Sequence, residues 1–148
     1  MIKHILVPTD GSALSSKAIR EAMALAQQLQ AKITVLHVVP SYHRTFDEGF
    51  VIPELPALRK RVEEVQHERG QQIVEAAQKT VSEGGVECDA VIATSDTPYE
   101  MIISQAGTAK CDLIVMASHG YRGVQGLLIG SETLRVLTHS TIPVLVCR

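Results

Sequence analysis

Apolar residues follow two rhythms along this chain. Short runs at 2–7, 33–39, 86–94, 113–117 and 143–147 are rich in branched residues and stop at turn formers. Such runs read as strands buried on both faces. Between them, apolar residues recur at three- and four-residue steps. Leu14, Ala18, Ala22, Leu25 and Leu29 form the first series, and Leu58, Val62, Val65, Ile73, Ala76 and Val81 the second. Ile102, Ile103 and Ala106 form a third, and Leu134 and Leu137 a fourth. That spacing predicts four amphipathic helices. Ser12 is the expected cap of the first, and Gly84-Gly85 stops the second. Thr97-Pro98-Tyr99-Glu100 combines a capping box with proline at the first helical position. Ser131 opens the last helix as its expected cap.

Strands and helices therefore alternate. Alternation calls for a parallel sheet with helices on both faces and right-handed crossovers. Ligands of such sheets bind outside the carboxyl ends of the strands, where strand order reverses. Two turns at such ends fit that use: Pro8-Thr9-Asp10-Gly11 after the first strand and Ala117-Ser118-His119-Gly120 after the fourth. The interval 41–56 breaks the rhythm. It holds both phenylalanines, Phe46 and Phe50, with Tyr42, Pro53 and Pro56. Two readings stand for it: a cover over the site, or a loop that packs its aromatics on the fold.

The segment 112–135 organises the rest. Its strand breaks into Ser118-His119-Gly120, with glycines again at 123, 126 and 130 before Ser131. A helix start leaves backbone N–H groups without partners and carries the positive end of the macrodipole. Glycine lets backbone approach a phosphate closely. A phosphate over Gly130 and Ser131 fits that chemistry, with the Ser131 hydroxyl as a further donor. The plainer alternative is that these glycines only make turns and Ser131 only caps. No lysine precedes Ser131, so this is not the usual P-loop, and Gly-x-Gly-x-x-Gly is absent.

Composition narrows the classes. The chain has 148 residues, enough for one domain with a core. It is 45% apolar and 20% charged, with a net charge of −2. No basic stripe suggests nucleic-acid binding. No apolar run approaches the roughly 18 residues of a membrane span. A strand at the start, without a signal-peptide pattern, points to the cytoplasm. Cys88, Cys111 and Cys147 are odd in number and lack a Cys-x-x-Cys spacing. They read as reduced packing residues.

Six stretches together resemble the universal stress protein family over essentially the whole chain, taken as one domain, 1–148. They are Ile5-Leu-Val-Pro-Thr-Asp-Gly-Ser12, Leu36-His-Val-Val39, Asp112-Leu-Ile-Val-Met116, Ser118-His-Gly120, Gly130-Ser131 and Ile142-Pro-Val-Leu-Val146. The resemblance implies a doubly wound α/β fold, a five-stranded parallel sheet of order 3-2-1-4-5. It also implies ATP binding through Gly, two residues, Gly, nine residues, Gly, then Ser or Thr. This chain matches at Gly120, Gly130 and Ser131 and has Ala117 at the first position. Carried over by position, Pro8 and Thr9 line the adenine side. Asp10 meets ribose hydroxyls or the metal–phosphate region. Val38 presents backbone to the adenine edge, and Met116 and Ala117 approach adenine and ribose. Gly120, Gly130 and Ser131 hold phosphates, with Thr133 a further contact. Magnesium, if it accompanies ATP, is held mostly by phosphates and water. Glu132 must face solvent for this reading, since it follows Ser131 directly.

Three functions follow. The first is a stress-response protein with ATP as a regulatory ligand. The second is a dimeric interaction module without nucleotide. The third is a slow ATP hydrolase. Efficient phosphoryl transfer needs fixed metal and charge clamps, and only Asp10 and His119 lie near the loops to serve it, with Arg122 the one cation within reach. A dedicated enzyme is therefore not expected. The final strand is a long apolar sheet edge, which argues for a homodimer through that edge.

Overall fold

The computed structural model describes residues 1–41, 56–119 and 129–148. The chain runs β1 (His4–Pro8), α1 (Ala13–Leu29), β2 (Lys32–Val39), α2 (Pro56–Glu83) and β3 (Cys88–Thr94). It continues through α3 (Pro98–Thr108), β4 (Leu113–Ala117), α4 (Ser131–His139) and β5 (Val144–Cys147). The strands form one parallel sheet of order β3-β2-β1-β4-β5, as expected. Helices cover both faces. One core packs Ile5, Val7, Ile33, Val35 and Val115 with Ala18, Ala22 and Ala26 of α1 and Val74, Ala77 and Val81 of α2. The other packs Leu6, Leu36, Ile114 and Met116 with Ile102 and Ala106 of α3 and Val136 of α4. Alternate residues of the central strands point to opposite cores, which is why those strands read as unbroken apolar runs.

Ser12 caps α1 as expected, its hydroxyl accepting the Ser15 N–H at 3.1 Å. The helix seam differs in detail. Small residues, Ser15, Ala18, Ala22 and Ala26, sit deepest with Ile19, and the leucines flank them. On α2 the buried line is Gly70, Val74, Ala77 and Val81, while Ala76, Leu58 and Val65 are exposed. Close approach explains the shift. A Cβ on Gly70 would stand 3.0 Å from His37 Cδ2 and 3.3 Å from Val39 Cγ2, so α2 lies almost against β2 there.

Two caps depart from expectation. Thr97 precedes α3, but its hydroxyl donates to Glu100 Oε2 rather than accepting a backbone N–H. Gly130, not Ser131, is the N-cap of α4, and Ser131 is the first helical residue. The strand before α3 starts at Cys88, two residues later than its apolar pattern suggests.

The amino end of the sheet is tied across strands. Asp112 Oδ2 accepts the N–H groups of Lys3 at 2.7 Å and His4 at 3.0 Å, and Asp112 N–H donates to His4 O at 2.8 Å. These backbone donors hold the Asp112 carboxyl below its ordinary value. His4 is buried between Ala109 O at 3.0 Å and Thr34 Oγ1 at 2.8 Å. A carbonyl can only accept, so Nδ1 carries the proton and Nε2 accepts from Thr34. Burial, then nearby Lys32, pushes the imidazole below its ordinary value of 6.5.

Both folded values lie below the unfolded ones, so both groups stabilise the fold at higher pH and lose that contribution on acidification. Stability should fall first below pH 6.5, as His4 has to charge, and again below 3.8, as Asp112 is protonated. Urea midpoints measured against pH should show both limbs. Asp112→Asn should remove only the lower one.

Candidate functional site

Strands β1 and β4 are neighbours, paired Ile5↔Leu113 and Leu6↔Ile114, although two strands and three helices separate them in the described chain. β2 leaves β1 on one side and β4 leaves it on the other. The order therefore reverses at β1, and a crevice opens above its carboxyl end. The β1–β2 ladder stops at Pro8↔Leu36, whereas β2–β3 continues to Val39↔Thr94. His37 and Val38 thus stand beyond the last paired residue of β1.

A cleft of about 230 Å³ occupies this place. It brings together Pro8, Thr9, Asp10, Val38, Met116, Ala117 and Thr133 from the sequence-derived set. Gly130 and Ser131 start α4 beside it but are not in its lining. Gly120 lies outside the described residues, as does 42–55, most of the expected cover. Larger hollows exist. One of about 690 Å³ lies by Val39, Ser41 and the first turns of α2. It mixes Arg59 with Glu63, Glu64 and Glu68 and stands away from the strand reversal.

Each wall has a local cause. Thr9 N–H continues the sheet by donating to Leu36 O at 2.8 Å, and its buried hydroxyl meets Ser15 Oγ at 3.0 Å. Asp10 Oδ1 accepts the Ser12 N–H at 2.9 Å, an Asx turn that fixes the carboxylate at the start of α1. Gly11 follows with φ +79°, a conformation L side chains rarely adopt. His37 is half-buried, and its Nδ1 donates to Thr9 O at 2.8 Å. Opposite, Ser118 N–H donates to Cys147 O at 2.7 Å, and Ser118 O accepts Gly130 N–H at 2.6 Å. Thr133 is buried, with its hydroxyl donating to Ala117 O at 2.9 Å.

These bonds redistribute the expected roles. The Gly130 N–H is committed to Ser118, so Gly130 shapes the approach rather than donating. The donors of the first turn that no intrahelical carbonyl reaches belong to Ser131, Glu132 and Thr133. The Ala117 carbonyl and the Thr133 hydroxyl proton satisfy each other. His119 meets Ser118 Oγ through Nδ1 at 2.8 Å.

Glu132 does not simply face solvent. It lines the cleft, its Oε2 accepting Tyr99 N–H at 3.0 Å and its Oε1 meeting Arg135 Nη1 at 3.3 Å. The N-terminus of α3 is thus capped by a carboxylate from α4 instead of by Thr97. Arg135 also lies 5.5 Å from the centre of the Tyr99 ring, and His139 stands 5.2 Å from the same ring. Sequence reading missed the cleft walls supplied by Ser15, His37, Pro98 and Ile102. Their periodicity placed them on elements, but nothing local told which elements meet over β1.

The thiols offer no nucleophile. Burial raises Cys88 and Cys111 to about 11 and pushes Cys147 up as well, so all three stay protonated near neutrality.

A five-stranded parallel sheet with a crevice at its strand reversal, beside a helix start, defines a doubly wound α/β protein. The sequence model described as the universal stress protein family matches residues 1–148, and the chain belongs to that family. Among its relatives, Universal stress protein YxiE of Bacillus subtilis is 32% identical over 151 residues, covering 100% of both chains. The solved universal stress protein UspA from Lactobacillus plantarum is 26% identical with a TM-score of 0.84, covering 99% of this chain and 98% of the other. A universal stress protein from Archaeoglobus fulgidus, solved in complex with dAMP, has a TM-score of 0.70 at 17% identity. It covers 100% of this chain and 98% of its own, and at that identity the likeness is one of fold.

The Thr133–Ala117 bond should be structural as well as local to the site. Thr133→Val keeps the shape but leaves a buried carbonyl without its donor, a loss of about 1–3 kcal/mol. Urea unfolding should show it as a lower midpoint with an unchanged slope.

Proposed function

We propose that this protein binds an adenine nucleotide, ATP by its motif, as a regulatory ligand at the carboxyl ends of β1 and β4. The observation that carries the reading is convergence. Residues far apart in sequence, from Pro8 to Thr133, line one cleft at the reversal of strand order. The base side is apolar, with Pro8, Val38, Met116 and Ala117. Val38 lies past the end of β1, where backbone edges can meet a base. Asp10 stands where it can accept ribose hydroxyls. Ser131 and the first-turn N–H groups of α4 supply the phosphate end, and the family resemblance assigns Gly120 to the phosphates as well. Any magnesium would be held mainly by phosphates and water. The dAMP complex of the Archaeoglobus fulgidus protein supports the fold's capacity for an adenine mononucleotide.

This reading places the protein in the cytoplasm, consistent with the absence, among the described residues, of a helix long and apolar enough to cross a membrane. It assigns no dedicated enzyme. The described cleft contains Asp10 and Glu132, but each carboxylate already accepts a backbone N–H. That is a binding arrangement rather than a poised base.

A homodimer belongs to the same proposal. β5 is an edge strand, and Leu145 is 43% exposed between the half-buried Val144 and Val146. Leu134 and Leu137 of α4 add further exposed apolar surface. A two-fold contact between β5 strands would cover that edge with one self-complementary patch.

Mass spectrometry of the ligand released from purified, denatured protein tests the nucleotide directly. ATP or AMP is expected, and an empty protein that also fails to bind either in calorimetry would defeat the reading. Gly130→Val should abolish ATP binding while circular dichroism stays unchanged, because a branched side chain fills the phosphate approach. Light scattering should give a dimer at micromolar concentration. Val144→Lys with Val146→Lys should give monomer or insoluble protein, since like charges then meet across the two-fold.

A further inference from the structure

We propose that Glu132 grades the ligands of this cleft by charge, with a penalty that grows with the number of phosphates. The proposal rests on the nucleotide reading above and adds a selectivity to it. Its starting point is the wall of the cleft. Glu132 and Asp10 both line it, and no lysine or arginine is among its described lining residues. A phosphate end seated on α4 therefore meets helix N–H groups and a carboxylate together.

Glu132 is fixed there. Tyr99 N–H holds one oxygen at 3.0 Å and Arg135 holds the other at 3.3 Å. Both oxygens are thus engaged at the cleft wall. Arg135 does not cancel its charge equally in all directions. The guanidinium side chain is 52% exposed and does not line the cleft, so its field is spread and screened by water. The carboxylate side chain is 31% exposed and borders a wall containing Ile102 and Met116, where screening is weaker.

Position in the chain sharpens the effect. Glu132 lies between Ser131 and Thr133, the residues assigned to the phosphates. The first-turn donors attract a phosphate, and Glu132 offsets part of that attraction. A neutral nucleoside feels little of this. A monophosphate carries about −1.5 to −2 charges near neutrality, and a triphosphate carries more. The penalty thus grows along adenosine, AMP and ATP, while base and ribose contacts remain the same.

The test is calorimetry with adenosine, AMP and ATP in EDTA, on wild type, Glu132→Gln and Arg135→Gln. Glutamine keeps the size and an oxygen for the Tyr99 N–H, so the cap on α3 persists. Glu132→Gln should tighten ATP about two- to five-fold relative to adenosine, the range for one partly exposed charge, with AMP between. Arg135→Gln should shift the same ratio the other way, because the carboxylate loses its counter-ion. Circular dichroism checks folding, and if one variant fails to fold the other still decides. An ATP-to-adenosine ratio unmoved in a folded variant overturns the proposal. A Glu132→Gln variant that weakens adenosine and ATP equally also overturns it, because it assigns Glu132 to packing alone. If wild type binds none of the three, the nucleotide reading itself falls, and the charge grading with it.

Discussion

The pairing of β1 with β4 is the constraint on which the rest of this molecule depends. Only two residue pairs define its ladder, Ile5↔Leu113 and Leu6↔Ile114. Yet it joins the half of the chain carrying α1 and α2 to the half carrying α3 and α4. Without it, the turn after β1 and the turn after β4 have no common space. The Asp112 carboxylate reinforces this junction at the amino end by binding two backbone N–H groups of the incoming strand. Leu6, Leu36, Ile114 and Met116 then fill one face, and Ile5, Val7, Val35 and Val115 the other. The crevice follows from parallel pairing and right-handed crossovers, with little choice left to the loops.

The strands were legible because the central ones are buried on both faces, and such strands have a distinct composition; their order came from the family resemblance. The site was legible where a residue's role is set by its own neighbours. Asp10 and Ser12 make a local turn and cap, and proline at position 98 starts a helix wherever that helix goes. Legibility failed where the partner is distant. Nothing near Glu132 shows that it will meet Tyr99, and nothing near Thr97 shows that its capping place will be taken. The α2 seam failed for a different reason. Apolar character pointed to Ala76 and Val65, whereas the geometry demanded the smallest side chain, Gly70, against His37. Closeness of approach, not hydrophobicity, selected the face.

The two ends of the sheet solve different problems. The amino end is closed by polar bonds that satisfy buried groups fully, and His4 between Ala109 and Thr34 is the clearest case. Among the described residues, no buried side-chain nitrogen or oxygen lacks a partner. The carboxyl end spends its bonds on shaping backbone instead. Ser118 links the end of β5 to the start of α4, and Thr133 ties the same helix to the end of β4. One end holds the strands in register, and the other holds a surface open.

The cap on α3 also bears on how the chain is made. Tyr99 takes its acceptor from a residue 33 positions further along. As the polypeptide leaves the ribosome, α3 emerges well before that acceptor exists. Until α4 has been synthesised and has docked, the Tyr99 N–H has only water to bond. A nascent chain cannot present a finished pocket before its final helix is in place.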